Sequence, residues 1–199
     1  MTILQQLSQA MAAVTAQARR SLVQLTNGQR GGWPAGQGSG ILWSPDGLII
    51  TNAHVVQRRA LTATLPDGRE LPARLLAHDA ARDIAALQVD AAGLPAIALG
   101  DSRALRPGDW VAAVGHPFGV AGAATAGVVI GSGPDLPEQA RGGEWIAVNL
   151  RLRPGNSGGP LVDAGGRLVG VNTLMTGPEA GGAVPVHVVQ QFMHEKIGR

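Results

Sequence analysis

From Ser39 onward the 199-residue chain is a succession of short apolar runs, each closed by turn chemistry. Ile41-Leu42-Trp43 leads into Ser44-Pro45-Asp46-Gly47, and Leu61 to Leu65 leads into Pro66-Asp67-Gly68. Gly47-Leu48-Ile49-Ile50, Ile84 to Val89, Trp110 to Val114, Val128 to Ile130 and Trp145 to Leu150 repeat the pattern, as do Leu161-Val162, Leu168 to Asn172 and Ala183 to Val186. Runs this short, rich in Val, Ile and Leu and bounded by Gly, Pro and Asp, read as strands rather than helices. The 29 glycines and 13 prolines supply the turns that join them. So many short strands without long helices between them predict an all-β fold of paired β-barrels.

Only the ends depart from this pattern. Residues 2–20 place Ile3, Leu4, Leu7, Met11, Val14 and Ala18 at helical spacing among glutamines, which predicts an amphipathic helix. Its apolar stripe is expected to pack on the chain's own barrel; an oligomer contact or a lid is the other use such a stripe serves. Ser21 to Thr26 reads as a lead-in strand, Asn27 to Gly38 as a Gly-rich loop, and residues 187–197 as a closing helix. The expected division is a helix and lead-in over 1–26, a first barrel over 27–100, and a second barrel with the closing helix over 101–199.

One turn carries the chemistry. Gly155-Asn156-Ser157-Gly158-Gly159-Pro160 sets a serine among small residues, with no bulky neighbour to shield its hydroxyl. A nucleophile needs that setting, because Oγ must reach a carbonyl while backbone N–H groups face the developing oxyanion. Gly-Asn-Ser is also ordinary turn chemistry, so the weight comes from two partners upstream. His54 follows the apolar run that ends at Ile50, and Asp83 stands at the entrance to Ile84–Val89. In a triad the imidazole takes the serine proton and the carboxylate fixes its tautomer. The chain order His, Asp, Ser matches one of the known arrangements. Asp79 is the rival carboxylate, with a turn cap as its ordinary role. His78, His116, His187 and His194 have no comparable context and read as surface or satisfied core residues.

These segments resemble the protease domain of the HtrA (Deg) family, trypsin-like serine proteases of chymotrypsin-type fold. The resemblance rests on Gly38-Ser39-Gly40, Thr51 to Val56, Asp83-Ile84-Ala85, Pro107-Gly108-Asp109, Gly115-His116-Pro117-Phe118-Gly119, Gly155 to Pro160 and Gly170 to Thr173, in order over roughly residues 38–190. It implies two six-stranded antiparallel β-barrels with short terminal helices, His54 and Asp83 on the first and Ser157 on the second. The cleft between them then holds the site. It also implies Ser157 as nucleophile, His54 as base and then acid, Asp83 as orienting carboxylate, and an oxyanion hole on the N–H groups of Gly155 and Ser157. No cofactor is implied.

The implied activity is endopeptidase cleavage of unfolded or extended protein segments in protein quality control, by a chain that matches the family without its usual peptide-binding PDZ domain. A homotrimer is the assembly such a family suggests. Two other readings stay open: a non-catalytic peptide-binding or chaperone module, and a triad that acts on esters.

Some positions depart from the family pattern. Asn149 stands where an Asp is common. Arg151, six residues before Ser157, occupies the position that forms the floor of the primary specificity pocket in trypsin-like enzymes. A guanidinium there disfavours basic side chains and attracts acidic ones; the plainer alternative turns Arg151 to solvent or to a structural carboxylate. Met175 to Gly182 and Ser132 to Gly143 correspond to loops that order and disorder in the family.

Composition removes several classes. A net charge of +2 with six aromatic residues offers no stacking, basic surface for nucleic acid. No metal-ligand spacing occurs, and the absence of cysteine excludes disulfides. No apolar run approaches the ~20 residues of a membrane-spanning helix, and residues 1–20 lack the pattern of a signal peptide. The compartment is therefore left open between cytoplasm and an extracytoplasmic space reached through a removed targeting segment.

Overall fold

The computed structural model describes residues 1–30, 33–34, 37–56, 61–133, 136, 143–173 and 181–199. Helix α1 (Ile3–Arg19) opens the chain and α2 (Val186–Ile197) closes it. Between them lie β1 (Leu22–Asn27), a two-stranded ribbon of β2 (Gln29–Arg30) and β3 (Trp33–Pro34), β4 (Gln37–Leu42), β5 (Leu48–Thr51), β6 (Leu61–Thr64), β7 (Glu70–Asp79) and β8 (Ile84–Gln88). The second half holds β9 (Trp110–Gly115), β10 (Ala123–Ser132), β11 (Ile146–Val148), β12 (Pro160–Asp163), β13 (Leu168–Thr173) and β14 (Gly181–Pro185).

Two closed six-stranded antiparallel barrels result, in the orders β1-β4-β5-β8-β7-β6 and β10-β11-β14-β13-β12-β9. The expected all-β, trypsin-like pair of barrels with terminal helices is what the chain forms. Ser21–Thr26, read as a lead-in, supplies a stave of the first barrel, since β1 pairs with both β4 and β6.

Alternation along the strands explains why so many are apolar throughout. Ile49 and Leu87 face the first barrel's interior, while Leu48, Ile50, Ile84 and Ala86 belong to a second cluster between the barrels. In the other barrel Val111, Ala113 and Val169 point inward, and Ala112, Val114, Leu168 and Val171 point to the seam. Successive side chains in a strand face opposite ways, so a strand between a barrel interior and an inter-barrel seam is buried on both faces. A one-residue slip would exchange the two sets, which fixes the register.

The residues expected as a Gly-rich loop include β2 and β3, β7 has no counterpart among the expected strands, and β10 starts earlier than expected. β7 carries Glu70, Pro72, Arg74 and His78 and is largely exposed; its one apolar run, Leu75-Leu76-Ala77, sits between Arg74 and His78 with no turn residue beside it, yet the strand pairs with β6 and β8 along its length. β10 begins at Ala123, well before the expected Val128, because its first half is Ala and Gly.

The α1 expectation holds for one half of the helix. Val14 and Ala18 are buried against the barrels, whereas Ile3, Leu4 and Leu7 are exposed. A capping box between Thr2 and Gln5 secures the free end. α2 packs Val186, Val188, Val189, Phe192 and Met193 inward and stops at Gly198, whose φ of 76° suits a left-handed cap. Among the described residues no helix is long and apolar enough to cross a membrane. The family-switching loops expected at 132–143 and 175–182 lie mostly outside the described residues.

Candidate active site

β5 ends at Thr51, and the chain turns through a single 3-10 turn, Ala53–Val55, that presents His54 at the surface. Two side chains pin this turn. Asn27 Nδ2 donates to the Val55 carbonyl at 2.8 Å, and His78 Nε2 lies 3.2 Å from the Ala53 carbonyl. The His54 side chain retains 40% of its exposure, so the ring can meet a substrate.

Asp83 immediately precedes β8 with φ 56°, a conformation that strains a non-glycine residue by ~1–3 kcal/mol and concentrates at functional sites. Asn52 Nδ2 holds the strained carbonyl at 3.0 Å. The carboxylate is buried and fully engaged: the His54 N–H donates to Oδ1 at 3.1 Å, His54 Nδ1 lies 2.9 Å from both oxygens, and the Thr173 hydroxyl donates to Oδ2 at 2.9 Å. Burial alone would raise its pKa. The hydrogen bonds and charge of His54, with the Thr173 hydroxyl, outweigh that and hold the group below the usual carboxylate range. Asp79 instead accepts from the N–H groups of Ala81 and Arg82 and pairs with the Arg82 guanidinium, the turn-capping role expected of it.

Ser157 lies in the turn before β12. Arg153-Pro154-Gly155-Asn156 closes with a 2.9 Å bond from the Asn156 N–H to the Arg153 carbonyl. Proline second and glycine third, the latter at φ 101°, is the signature of a type II turn. A β-carbon on Gly155 would come within 2.2 Å of the His116 carbonyl, so the position needs glycine for space as well as for φ. The Pro154 carbonyl accepts from the Phe118 N–H at 3.4 Å. Because C=O and N–H point oppositely across a trans peptide, the Gly155 N–H projects away from Phe118. Among the described residues neither the Gly155 nor the Ser157 N–H has an acceptor. Ser157 Oγ is buried and makes no hydrogen bond to His54 or any other described residue.

The fold thus joins His54 to Asp83 directly and leaves Ser157 Oγ unbonded. Arg151 is exposed, with no ion pair or hydrogen bond to a described residue. Asn149 is exposed, and its N–H bonds the Val128 carbonyl. Among the described residues no three His, Asp or Glu side chains converge to hold a metal.

Sequence reasoning gave no role to Thr173 or Ser39, though both fall within family motifs, and it set His116 aside. Ser39 is fully buried in β4; it meets the Gly155 and Ser157 carbonyls and the His116 ring. His116 is 7% exposed, and burial together with the charge of Arg19 lowers its pKa to about 4. Serine and threonine on a strand carry no signature of a site; only the fold brings them there.

Known proteins resemble this chain in sequence and fold. The family model of the trypsin-like peptidase domain matches residues 38–171. A protein of Halomonas elongata named "Probable periplasmic serine endoprotease DegP-like" is 44% identical over 137 residues, 68% of this chain and 29% of that protein. "Serine protease HTRA1" of Xenopus laevis is 39% identical over 171 residues, 83% of this chain and 37% of the relative. Among solved structures, an HtrA-type protease with a tripeptide superposes at a TM-score of 0.84 and 32% identity, covering 92% of this chain and 62% of the other. The chain spans about a third of the length of these two curated relatives.

Proposed function

The chain belongs to the HtrA/DegP-like family of trypsin-like serine proteases, and on that premise we propose that it is a serine endopeptidase cutting unfolded or extended segments of protein substrates in protein quality control. The observation that carries this reading is the contact of His54 with a buried, ionised Asp83, on the opposite barrel from a serine turn whose two N–H groups are free.

In this reading Asp83 holds Nδ1 of His54 protonated, which leaves Nε2 as the basic nitrogen. Nε2 takes the Ser157 proton as Oγ attacks the scissile carbonyl. The carbonyl oxygen, now negative, is received by the N–H groups of Gly155 and Ser157, donors that each matter by ~10²–10³ in rate. The imidazolium, stabilised by Asp83, gives its proton to the leaving amine, and the peptide bond breaks to leave an acyl-Ser157 ester. Water activated by the same imidazole then cleaves the ester and restores Ser157.

Ser157 Oγ lies outside hydrogen-bond reach of Nε2, as catalytic contacts often do before substrate binds. The same observation favours a second reading, a peptide-binding module with a protease fold. A serine-reactive phosphonate separates them. The protease reading expects one adduct, mapped by mass spectrometry to Ser157 and blocked by His54→Ala. Absence of labelling favours the binding module. Casein degradation by the labelled-competent protein distinguishes protease from esterase.

A further inference from the structure

We propose that Ser39 is a positioning residue for the oxyanion turn: from the first barrel it clamps the backbone of both residues whose N–H groups would receive the oxyanion. The proposal rests on the protease reading above and adds to it a control point on the opposite barrel.

Ser39 lies in β4 and has no exposed surface. Its N–H donates to the Ser157 carbonyl at 2.8 Å. Its hydroxyl lies 2.8 Å from the Gly155 carbonyl, 3.1 Å from the His116 N–H and 2.9 Å from His116 Nδ1. A hydroxyl has one proton and two lone pairs. One assignment satisfies every partner: Oγ–H donates to Gly155, and both lone pairs accept from His116, through its backbone N–H and a protonated Nδ1. The Gly155 carbonyl also accepts from the His116 N–H at 3.1 Å, so two donors hold it. Ser39 is itself anchored, its carbonyl accepting from Thr51 Oγ1 at 2.7 Å.

The consequence is orientation. The Gly155 N–H serves as an oxyanion donor only while its peptide plane keeps the present sense. Rotation of the Pro154–Gly155 peptide would turn a carbonyl toward the site in its place. Ser39 holds the peptides that follow Gly155 and Ser157, which fixes the two Cα atoms from which the N–H groups project, while the Pro154–Gly155 plane itself is tied by the Phe118 N–H on the Pro154 carbonyl. Ser39 touches no substrate; it acts through Gly155 and Ser157. Because it belongs to the first barrel and they belong to the second, the seating of one barrel on the other sets the oxyanion geometry.

Steady-state kinetics of Ser39→Ala on a peptide substrate tests this, with active sites titrated so that only folded enzyme is counted. The expected result is a 10- to 100-fold fall in kcat with KM within twofold, and an equal loss of affinity for a peptide aldehyde, whose adduct carries the oxyanion. A serine with a merely structural role would lower the melting temperature and leave kcat per titrated site unchanged, which would overturn the proposal. So would a loss carried wholly by KM. If Ser39→Ala does not fold, His116→Phe tests the same clamp by removing the Nδ1 donor. A several-fold fall in kcat at constant KM supports it, and an unchanged kcat contradicts it. A wild-type chain with no turnover would sink the protease reading and the proposal with it; an active wild type matched by an equally active Ser39→Ala would sink the proposal alone.

Discussion

The hydroxyl of Thr173, on β13 of the second barrel, donates to Asp83 Oδ2 at 2.9 Å, on the first barrel. A buried carboxylate is costly unless its lone pairs are filled, and His54 alone cannot fill them. The second barrel thus completes the environment of a residue on the first, just as Ser39 of the first barrel secures the serine turn of the second. Each half of the site depends on the other barrel for its support.

Thr173→Val keeps the shape and removes that bond. Leaving one oxygen of a buried carboxylate without its partner costs about 1–3 kcal/mol, so urea unfolding should show a loss of that size. Asp83 titrates below its ordinary value in the fold, and its stabilising contribution is therefore present above about pH 3.9 and lost as pH falls through the depressed value. Thr173→Val should move the lower end of that window upward, a shift that acid titration of stability will read. Unchanged acid stability would mean that the hydroxyl does not support the carboxylate.

Substitutions at the three proposed catalytic residues should be unequal. Ser157→Ala and His54→Ala should each lower kcat by about 10⁶, and Asp83→Asn by less, since the base and nucleophile remain. Single-turnover rates on a fluorogenic peptide check the ranking. An Asp83→Asn enzyme as fast as wild type would remove Asp83 from the mechanism.

Arg151 makes no ion pair or hydrogen bond among the described residues, which leaves its guanidinium available to a substrate. If it forms the floor of the primary pocket, peptides with Glu before the scissile bond should be cleaved at least several-fold faster than those with Arg, and Arg151→Ala should erase the difference. Equal rates for Glu, Val and Arg in the wild type would reject that role.

His116 sets a second acid window. Folded, it protonates at about 4 because it is buried beside Arg19; its ordinary value is 6.5. Between these values the unfolded chain binds a proton that the folded chain does not, so stability is complete above about pH 6.5 and declines toward pH 4. The shift corresponds to about 3 kcal/mol. His116→Phe, which cannot titrate, should show a flatter stability profile across that range. An identical slope in both proteins would contradict the burial-driven shift.

Much of this architecture was legible in the residues because the physics is local. Continuous apolar runs such as Leu48–Ile50 and Ile84–Leu87 betray strands buried on both faces, and Gly155-Asn156-Ser157-Gly158 betrays a tight, open turn. β7 is hidden because Glu70, Pro72, Arg74 and His78 interrupt it, leaving Leu75-Leu76-Ala77 without turn residues at its edges. The supports of the site were hidden for another reason. Thr173 and Asp83 are 90 residues apart, and Ser39 and Gly155 are 116 apart, so no spacing rule links a strand hydroxyl to the group it will meet. The stripe of α1 continues to Ile3 and Leu4, which nothing in the sequence separates from Val14 and Ala18, yet only the C-terminal part of the helix is buried against the barrels.

Casein hydrolysis by the purified chain beside its Ser157→Ala variant tests the central reading most directly. A serine endopeptidase degrades casein in the wild type and leaves it intact in the variant. Degradation that survives Ser157→Ala, or a wild-type chain that leaves casein untouched, would contradict it.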